Sequence, residues 1–212
     1  MRLTPSCLVA AVVAATLSLG VGPAANDDFQ PLVKGSDITQ FELVAIGPDT
    51  MKILDGGEIA ISGKPNGYFA TKSEFHNYVF RFEWKYERPA GLESDDTFDG
   101  NSGLLVHIQA PHKVWPKCIE VQLANKDAGH IFGIQGSQFK GSKDAAAQKR
   151  AIKPVGEWNQ EEVTCKDGAV TCKINDIEVD HGTGASPDRG YIGLQSEGRP
   201  IRFRNLMMKV LE

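Results

Sequence analysis

The segment YVFRFEWKY, residues 78–86, constrains the fold more than any other part of the chain. Every second residue in it is aromatic, and the residues between are mostly charged, with Glu83 and Lys85 among them. Successive side chains of a β-strand point to opposite faces, so this alternation predicts a strand with one buried face. Burying apolar area stabilises a fold by about 25 cal/mol per Å², so the aromatic face belongs in a core. Glu83 and Lys85 should therefore point outward.

Further short strand-like segments follow, separated by Gly, Pro, Asn and Asp, and apolar repeats of helical period are nearly absent. The clearest are 104–109, 119–123, 162–165, 170–174, 191–195 and 201–210. Many short strands with regular turns and no helices between them predict an all-β fold, either a sandwich or a barrel.

The beginning of the chain has the pattern of a secretory signal peptide. Arg2 precedes an apolar run from Leu8 to Leu19, and Gly22 to Ala25 offers small residues for cleavage. We predict a signal peptide over 1–25, an N-terminal segment over 26–40 and one folded domain over 41–212. The mature protein would then be periplasmic or secreted; a retained membrane anchor is the alternative.

Composition excludes two classes of partner. The chain has 23 basic and 27 acidic residues, a formal net charge of -4, and its Lys and Arg form no stripe. Nucleic-acid binding and adhesion to anionic membranes both depend on clustered positive charge. We therefore expect no nucleic-acid partner and no membrane insertion.

Two cysteines, Cys165 and Cys172, flank a turn at Asp167 and Gly168. An exported chain can form disulfides, and a loop of suitable length would place these two sulfurs opposite each other. A two-residue Asp-Gly turn would instead pair Cys165 with Val170 and leave two packed thiols. Both alternatives are open from the sequence, and the cysteine spacing does not match a zinc site.

Polar residues alternate with apolar ones along two neighbouring segments. In 104–109 we expect Leu105, His107 and Gln109 on the face opposite the core. In 118–122, Glu120 and Gln122 fall on the equivalent face. A carboxylate and amides on one sheet face predict a hydrophilic hollow shared by Glu120, Gln122 and His107.

Five strings along the chain resemble, in order and spacing, the 3-keto-disaccharide hydrolase domain family, also known as domain of unknown function 1080. They are GNSGLLVHIQ (100–109), WPKCIEVQL (115–123), DAGHIFG (127–133), KPVGEWN (153–159) and GLQSEGRPIRFRN (193–205). The resemblance extends from about Phe41 to the C-terminus. Many relatives have Arg where this chain has His107, and Asp-His-Gly where it has Ser196, Glu197 and Gly198.

The resemblance implies a jelly-roll β-sandwich of the concanavalin A type, with two antiparallel sheets. It also implies an exported enzyme that cleaves glycosides already oxidised to a ketone at sugar carbon 3. A non-catalytic carbohydrate-binding module is the alternative function, because the same sandwich serves lectins and the fold does not decide function.

A 3-keto-glycoside needs few catalytic groups, because the ketone acidifies the hydrogen on carbon 2. We expect Glu120 to abstract that proton, His107 to act as acid or base, and Lys85 to stabilise the enolate. Each has a structural alternative: Glu120 pairs with Lys85 or Arg81, Lys85 forms a surface ion pair, and His107 is an ordinary strand residue.

Four more residues are candidates for contact with the substrate. Asn101 and Gln122 would bind sugar hydroxyls, since amides both donate and accept hydrogen bonds. Glu83 is a second candidate acid, and Trp115 would stack on a pyranose ring. The sequence predicts no cofactor. A metal held by Glu120, His107 and His130 stays open, although their spacing matches no firm ligand pattern.

Overall fold

The computed structural model describes residues 28–212, so the predicted signal peptide lies outside the described residues. Fifteen strands and one short helix, α1 (Ala145–Ala151), make up the regular structure of this part of the chain, together with three 3₁₀ turns at Ile38–Gln40, Asp55–Gly57 and Asp95–Thr97. The strands are β1 Gln30–Pro31, β2 Glu42–Val44, β3 Met51–Ile53, β4 Ile59–Ile61, β5 Gly67–Ala70, β6 Tyr78–Tyr86, β7 Gly103–Ile108, β8 Cys118–Gln122, β9 Ile131–Ile134, β10 Gln138–Gly141, β11 Asn159–Lys166, β12 Ala169–Ile174, β13 Ile177–Ser186, β14 Tyr191–Ser196 and β15 Ile201–Val210.

Two antiparallel sheets form the sandwich. The large sheet has the strand order β10-β13-β12-β11-β6-β15-β4-β3, with β1 added on β15. The small sheet has the order β2-β5-β14-β7-β8-β9. Strands adjacent in space are often distant in sequence, as in β6 beside β15 and β14 beside β7. The predicted all-β jelly-roll sandwich is confirmed. No helix within residues 28–212 has the length and apolar character needed to cross a membrane.

The aromatic face of β6 lies at the centre of the core, as its alternation predicts. The five aromatic side chains of β6 are at most 3% exposed. They belong to one apolar cluster with Leu104 and Val106 of β7 and with Ile119 and Val121 of β8. The two sheets are therefore joined through these strands, and residues of opposite parity on β6 and β8 point away from each other.

A β-bulge at His107 breaks the predicted alternation of β7. His107 has a left-handed backbone with φ of 59°, and the pairing of β14 with β7 shifts register between Tyr191 and Gly193. A bulge adds a residue to one strand and changes the faces of the residues that follow. Ile108 consequently joins an apolar cluster on the outer face of the small sheet, and His107 turns toward Tyr78 in the core.

The loop between β7 and β8 covers part of that outer face. His112 of this loop packs its ring 4.9 Å from that of Tyr191 and forms an ion pair of 2.8 Å with Glu42. Beneath it lie buried apolar residues, including Tyr68 and Leu105. The opposite end of the face, where β7 begins and β8 ends, carries half-buried polar side chains instead.

The turn between β11 and β12 has the two-residue form, with Asp167 at φ 50° and Gly168 at φ 75°. Cys165 pairs with Val170, and Cys172 with Val163, so the cysteines are diagonal neighbours. Diagonal side chains on paired strands lie roughly 7–8 Å apart, too far for the Cβ spacing of a disulfide. Both are buried free thiols, which is the second of the two alternatives from the sequence.

We expect these thiols to resist labelling in the native protein and to react only after unfolding. Peptide mass spectrometry after alkylation, without reductant, should find Cys165 and Cys172 unmodified in the native state and both alkylated in denaturant. A Cys165–Cys172 disulfide peptide that survives denaturation would contradict the register.

Candidate active site

Polar side chains converge on the outer face of the small sheet, and we call this cluster the acidic hollow. Glu120 of β8 and Gln195 of β14 form its floor, and both are buried. Asn101, Gln122 and Glu197 form its rim and are half-buried. Asn101 and Glu197 lie side by side because Asn101 forms β-bridges with Glu197 and Gly198.

Gly103 brings the two floor residues together. A β-carbon at this position would lie 2.6 Å from Oε1 of Glu120 and 2.5 Å from Oε1 of Gln195. Those distances are too short for any real contact, so a larger residue here would displace both side chains. The glycine therefore allows a carboxylate and an amide from two different strands to converge above β7.

The carboxylate of Glu120 is placed where its charge is poorly solvated. The residue is 5% exposed, between Leu105 and Phe132 on the neighbouring strands. Among the described residues it has no hydrogen-bond or ion-pair partner. Burial raises the pKa of Glu120 to about 7, and repulsion from the Glu197 carboxylate adds to the shift. A carboxylate with this pKa exchanges protons near neutral pH.

Glu197 is the second carboxylate of the hollow, and the sequence reasoning assigned it no role. Burial raises its pKa above the ordinary value, and a hydrogen bond with the Asn101 side chain lowers it in part. When two carboxylates lie close together, ionisation of one raises the pKa of the other, so the pair titrates as a unit. The signal available in the sequence was parity, since Gln195 and Glu197 alternate with Leu194 and Ser196.

Unsatisfied amides also mark the hollow. Gln195 is 1% exposed, and neither its Oε1 nor its Nε2 has a hydrogen-bond partner within the described part of the chain. The same holds for Oδ1 of Asn101. Buried polar atoms are almost always hydrogen-bonded, so amides left open on the floor and rim of one hollow are groups that a bound ligand would satisfy.

His130 is the imidazole that shares this face, rather than His107. Its carbonyl accepts a hydrogen bond of 2.8 Å from the backbone N–H of Gln122, and its ring lies 5.3 Å from that of Phe132. Asp127 holds Nδ1 of His130 at 2.9 Å, and Lys143 forms an ion pair with the same carboxylate. The imidazole is therefore oriented beside Gln122 of the rim, and its Nε2 has no hydrogen-bond partner among the residues that the structure describes.

The expectation that His107 shares the hollow with Glu120 is wrong. The bulge places its ring 6.0 Å from that of Tyr78, and its Nδ1 bonds to the Pro187 carbonyl at 3.1 Å. Burial lowers the pKa of His107 to about 4, so the ring stays neutral at physiological pH. Because His107 lies in the core, it cannot ligate a metal together with Glu120 and His130. Within residues 28–212 no three His, Cys, Asp or Glu side chains form a group that could hold a metal ion.

Lys85 and Glu83 do point outward, but from the large sheet, on the far side of the sandwich from Glu120. Lys85 lies 4.7 Å above the ring of Trp158, whose other neighbour is the Arg204 guanidinium at 4.0 Å. Glu83 accepts hydrogen bonds from Arg204 and Asn205, both at 2.6 Å. Neither residue can reach a substrate in the hollow, and both stabilise the outer surface of the large sheet instead.

Of the other residues predicted to bind substrate, two lie at the acidic hollow and one lies at the opposite end of β8. Asn101 and Gln122 lie at the hollow, although Oε1 of Gln122 accepts hydrogen bonds from the backbone N–H groups of Leu123 and Ala124, both at 2.9 Å. Its Nε2 is the part left for a ligand. Trp115 lies in the loop before β8, is 39% exposed and lines a separate cleft of about 190 Å³.

Comparison with known proteins identifies the family. The profile described as the 3-keto-alpha-glucoside-1,2-lyase-like domain matches residues 28–209. The chain belongs to this family. Membership places it among carbohydrate-processing proteins, and the resemblance found in the sequence is confirmed. No curated protein is significantly similar to the chain.

Solved structures with a similar fold include proteins from two bacteria. Two are candidate glycosyl hydrolases from Parabacteroides distasonis ATCC 8503. The first has a TM-score of 0.64 at 19% identity, covering 86% of this chain and 99% of that chain. The second has a TM-score of 0.60 at 21% identity, covering 89% and 98%. The carbohydrate-binding module CBM66 from Bacillus subtilis has a TM-score of 0.59 at 11% identity, covering 80% and 95%. At these identities the likeness establishes the fold alone.

We expect Glu120→Gln to stabilise the protein at alkaline pH. The ordinary pKa of Glu is 4.5, and in the folded protein that of Glu120 is about 7. The folded state therefore holds a proton that the unfolded state releases, and stability is lost as pH rises from about 4.5 to 7. Glutamine avoids this loss, so the free energy of unfolding should exceed that of the wild type by up to about 3 kcal/mol at pH 8 and by little at pH 4.

Urea denaturation at several pH values measures this difference. The exposed variant Glu74→Gln is the control and should follow the wild type at every pH. Glu161, another buried carboxylate, contributes equally to the pH dependence of unfolding in the wild type and in both variants. Differences between the three proteins therefore report the contribution of Glu120. A difference in the free energy of unfolding between Glu120→Gln and the wild type that does not change with pH would contradict the interpretation of Glu120 as a desolvated carboxylate.

Proposed function

We propose that the protein cleaves 3-keto-glycosides, with the sugar ring bound in the acidic hollow and Glu120 as the general base. The observation that supports this most is a buried carboxylate without a partner, facing open amides. Its pKa of about 7 suits proton abstraction near neutral pH. A hollow that only bound sugar would gain nothing from leaving a carboxylate desolvated, since that destabilises the fold.

The first step transfers the proton on carbon 2 to Glu120. The electrons of the carbon–hydrogen bond move into an enolate whose negative oxygen was the ketone on carbon 3. The open N–H of Gln195 is the donor placed on the floor to hold that oxygen. Lys85, expected to do this, lies on the other sheet.

The second step breaks the glycosidic bond. The enolate re-forms the ketone, the double bond forms between carbons 1 and 2, and the aglycone oxygen leaves with the bonding electrons. Glu120 passes the proton it took from carbon 2 to that oxygen and is again a carboxylate. Water then adds across the double bond through Glu120, with its oxygen on carbon 1 and one of its protons on carbon 2, which gives net hydrolysis.

A non-catalytic carbohydrate-binding module is the second candidate. The cleft beside Trp115 favours it, because an exposed indole among the polar groups of Gln109, Lys117 and Gln135 suits contact with a sugar ring. The likeness to CBM66 is compatible with both functions, since the fold is shared. The signal-peptide pattern of residues 1–25 supports a periplasmic or secreted site of action for either.

We expect turnover of 3-keto-glucosides and none of their unoxidised parents. Glu120→Gln should lower kcat by a factor of about 10² or more, because the base is removed. In the wild type, kcat/KM should rise with pH and level off above about 7, as the Glu120 carboxylate ionises. Deuterium on carbon 2 should slow the reaction if proton abstraction limits the rate.

Controls separate the base from general damage to the fold. Glu74→Gln, an exposed change at the far end of the sandwich, should leave kcat unaltered. Turnover by Glu120→Gln at the wild-type rate would remove Glu120 as the base. Saturable binding of glycosides without turnover of any 3-keto substrate would favour the binding module.

A further inference from the structure

A second cleft, of about 460 Å³, opens between the loop before β7, the β8–β9 turn and α1; we call it the lysine cleft. Lys126, Lys149 and Lys153 line it, together with Asn125, Gln148 and Asp96. A volume of this order lies within the range of small-molecule sites. No part of the reaction proposed above uses these residues.

The lysine cleft adjoins the acidic hollow through the backbone. The N–H of Asn125 donates to the carbonyl of Gly100 at 3.0 Å, so Asn125 is next to the Asn101 rim. On its other side, Lys126 precedes Asp127, the residue that orients His130. The two sites are therefore neighbours in the fold.

Positive charge dominates the lysine cleft. Lys126 and Lys149 are exposed and have no acidic partner within residues 28–212, and Lys153 donates only to the carbonyl of Trp158, at 3.1 Å. One acidic neighbour, Asp95, is already bound by the Arg88 guanidinium and by the N–H of Val155. Asp96 is the acidic group left to oppose three ammonium groups.

An amide side chain shares the lysine cleft with the ammonium groups. Gln148 lines the cleft, and its side chain has no hydrogen-bond partner among the described residues. Its amide is accessible to solvent there, so it can both donate to and accept from a molecule that fills the cleft. Together with the free ammonium groups, it offers donors on more than one wall.

We propose that the lysine cleft binds an anionic substituent of the substrate, a carboxylate or a sulfate ester on the sugar or aglycone beyond the scissile bond. The inference rests on the proposed function for the placement of the reacting ring. Charge then sets the orientation: Glu120 and Glu197 repel an anion from the hollow, while the lysines attract it to the adjoining cleft. The enzyme would thus act on acidic oligosaccharides or acidic glycosides.

Binding measurements test the cleft without requiring turnover. Isothermal titration of the wild type with methyl glucuronide, methyl glucoside 6-sulfate and neutral methyl glucoside should show tighter binding of at least one anionic ligand than of the neutral one. The Lys126→Ala/Lys149→Ala double variant should lose about tenfold or more of that affinity, with unchanged affinity for the neutral glucoside. High salt should weaken only anionic binding.

A matched double variant provides the control. Lys52→Ala/Lys166→Ala removes two exposed lysines of the large sheet that line neither the lysine cleft nor the Trp115 cleft, and this variant should bind the anionic ligands like the wild type. Tighter binding of methyl glucuronide would identify a carboxylate as the substituent that the cleft binds, and tighter binding of methyl glucoside 6-sulfate would identify a sulfate ester. Equal affinity for neutral and anionic ligands, or equal losses in both double variants, would overturn the proposal.

The kinetic readout distinguishes this inference from the proposed function. With a 3-keto-glycoside that carries an acidic aglycone, the Lys126→Ala/Lys149→Ala variant should show raised KM and little change in kcat, because the lysines bind but do not react. If no 3-keto-glycoside is turned over but anionic ligands bind in a way that depends on salt and on the two lysines, the proposed reaction is rejected and the anion site in the lysine cleft is supported. If 3-keto-glycosides are turned over with equal KM for acidic and neutral aglycones, the reaction is supported and the anion site is rejected.

Discussion

The packing of the β6 aromatic face against β7 and β8 is the constraint on which the rest of the structure depends. It joins the two sheets through one apolar cluster and fixes which side of each strand faces outward. Once Ile119 and Val121 are committed to that core, Glu120 must lie on the outer face of the small sheet. The site is therefore a consequence of the core register, since a one-residue shift of β8 would bury the carboxylate in hydrocarbon.

The alternation of side chains allowed much of this to be predicted from sequence. It gave the all-β sandwich, the buried face of β6 and the outward position of Glu120, and the Asp-Gly turn gave the correct register as one of two options for Cys165 and Cys172. His107 was misplaced because a bulge, set by a left-handed backbone at that residue, reverses the faces that simple alternation assigns.

Lys85 and Glu83 were misplaced for a different reason. Parity shows that a side chain points outward but not from which of two sheets, and that depends on long-range pairing such as β6 with β15. Gln195 and Glu197 could have been found by the same parity argument applied to β14. Their convergence with Glu120 could not, because it depends on Gly103 lying between strands that are distant in sequence.

Electrostatics divides the surface into regions with different roles. The outer face of the large sheet pairs its charges, as in Arg202 with Glu58 and Glu87. Within residues 28–212 the acidic hollow holds two carboxylates without a cationic partner, and the lysine cleft beside it holds three ammonium groups opposed by Asp96. Unpaired charge of opposite sign in adjoining sites reduces stability slightly and is well suited to orient a polar substrate.

The most direct measurement of the central claim is the pKa of Glu120 itself. Titration of the side-chain carboxyl by ¹³C NMR, assigned with Glu120→Gln, should give a pKa of about 7. The value should fall in Glu197→Gln, where the repelling charge is gone, and stay high in Glu74→Gln. A Glu120 pKa near 4.5, unaffected by Glu197, would show that the carboxylate is solvated or paired and would contradict the account.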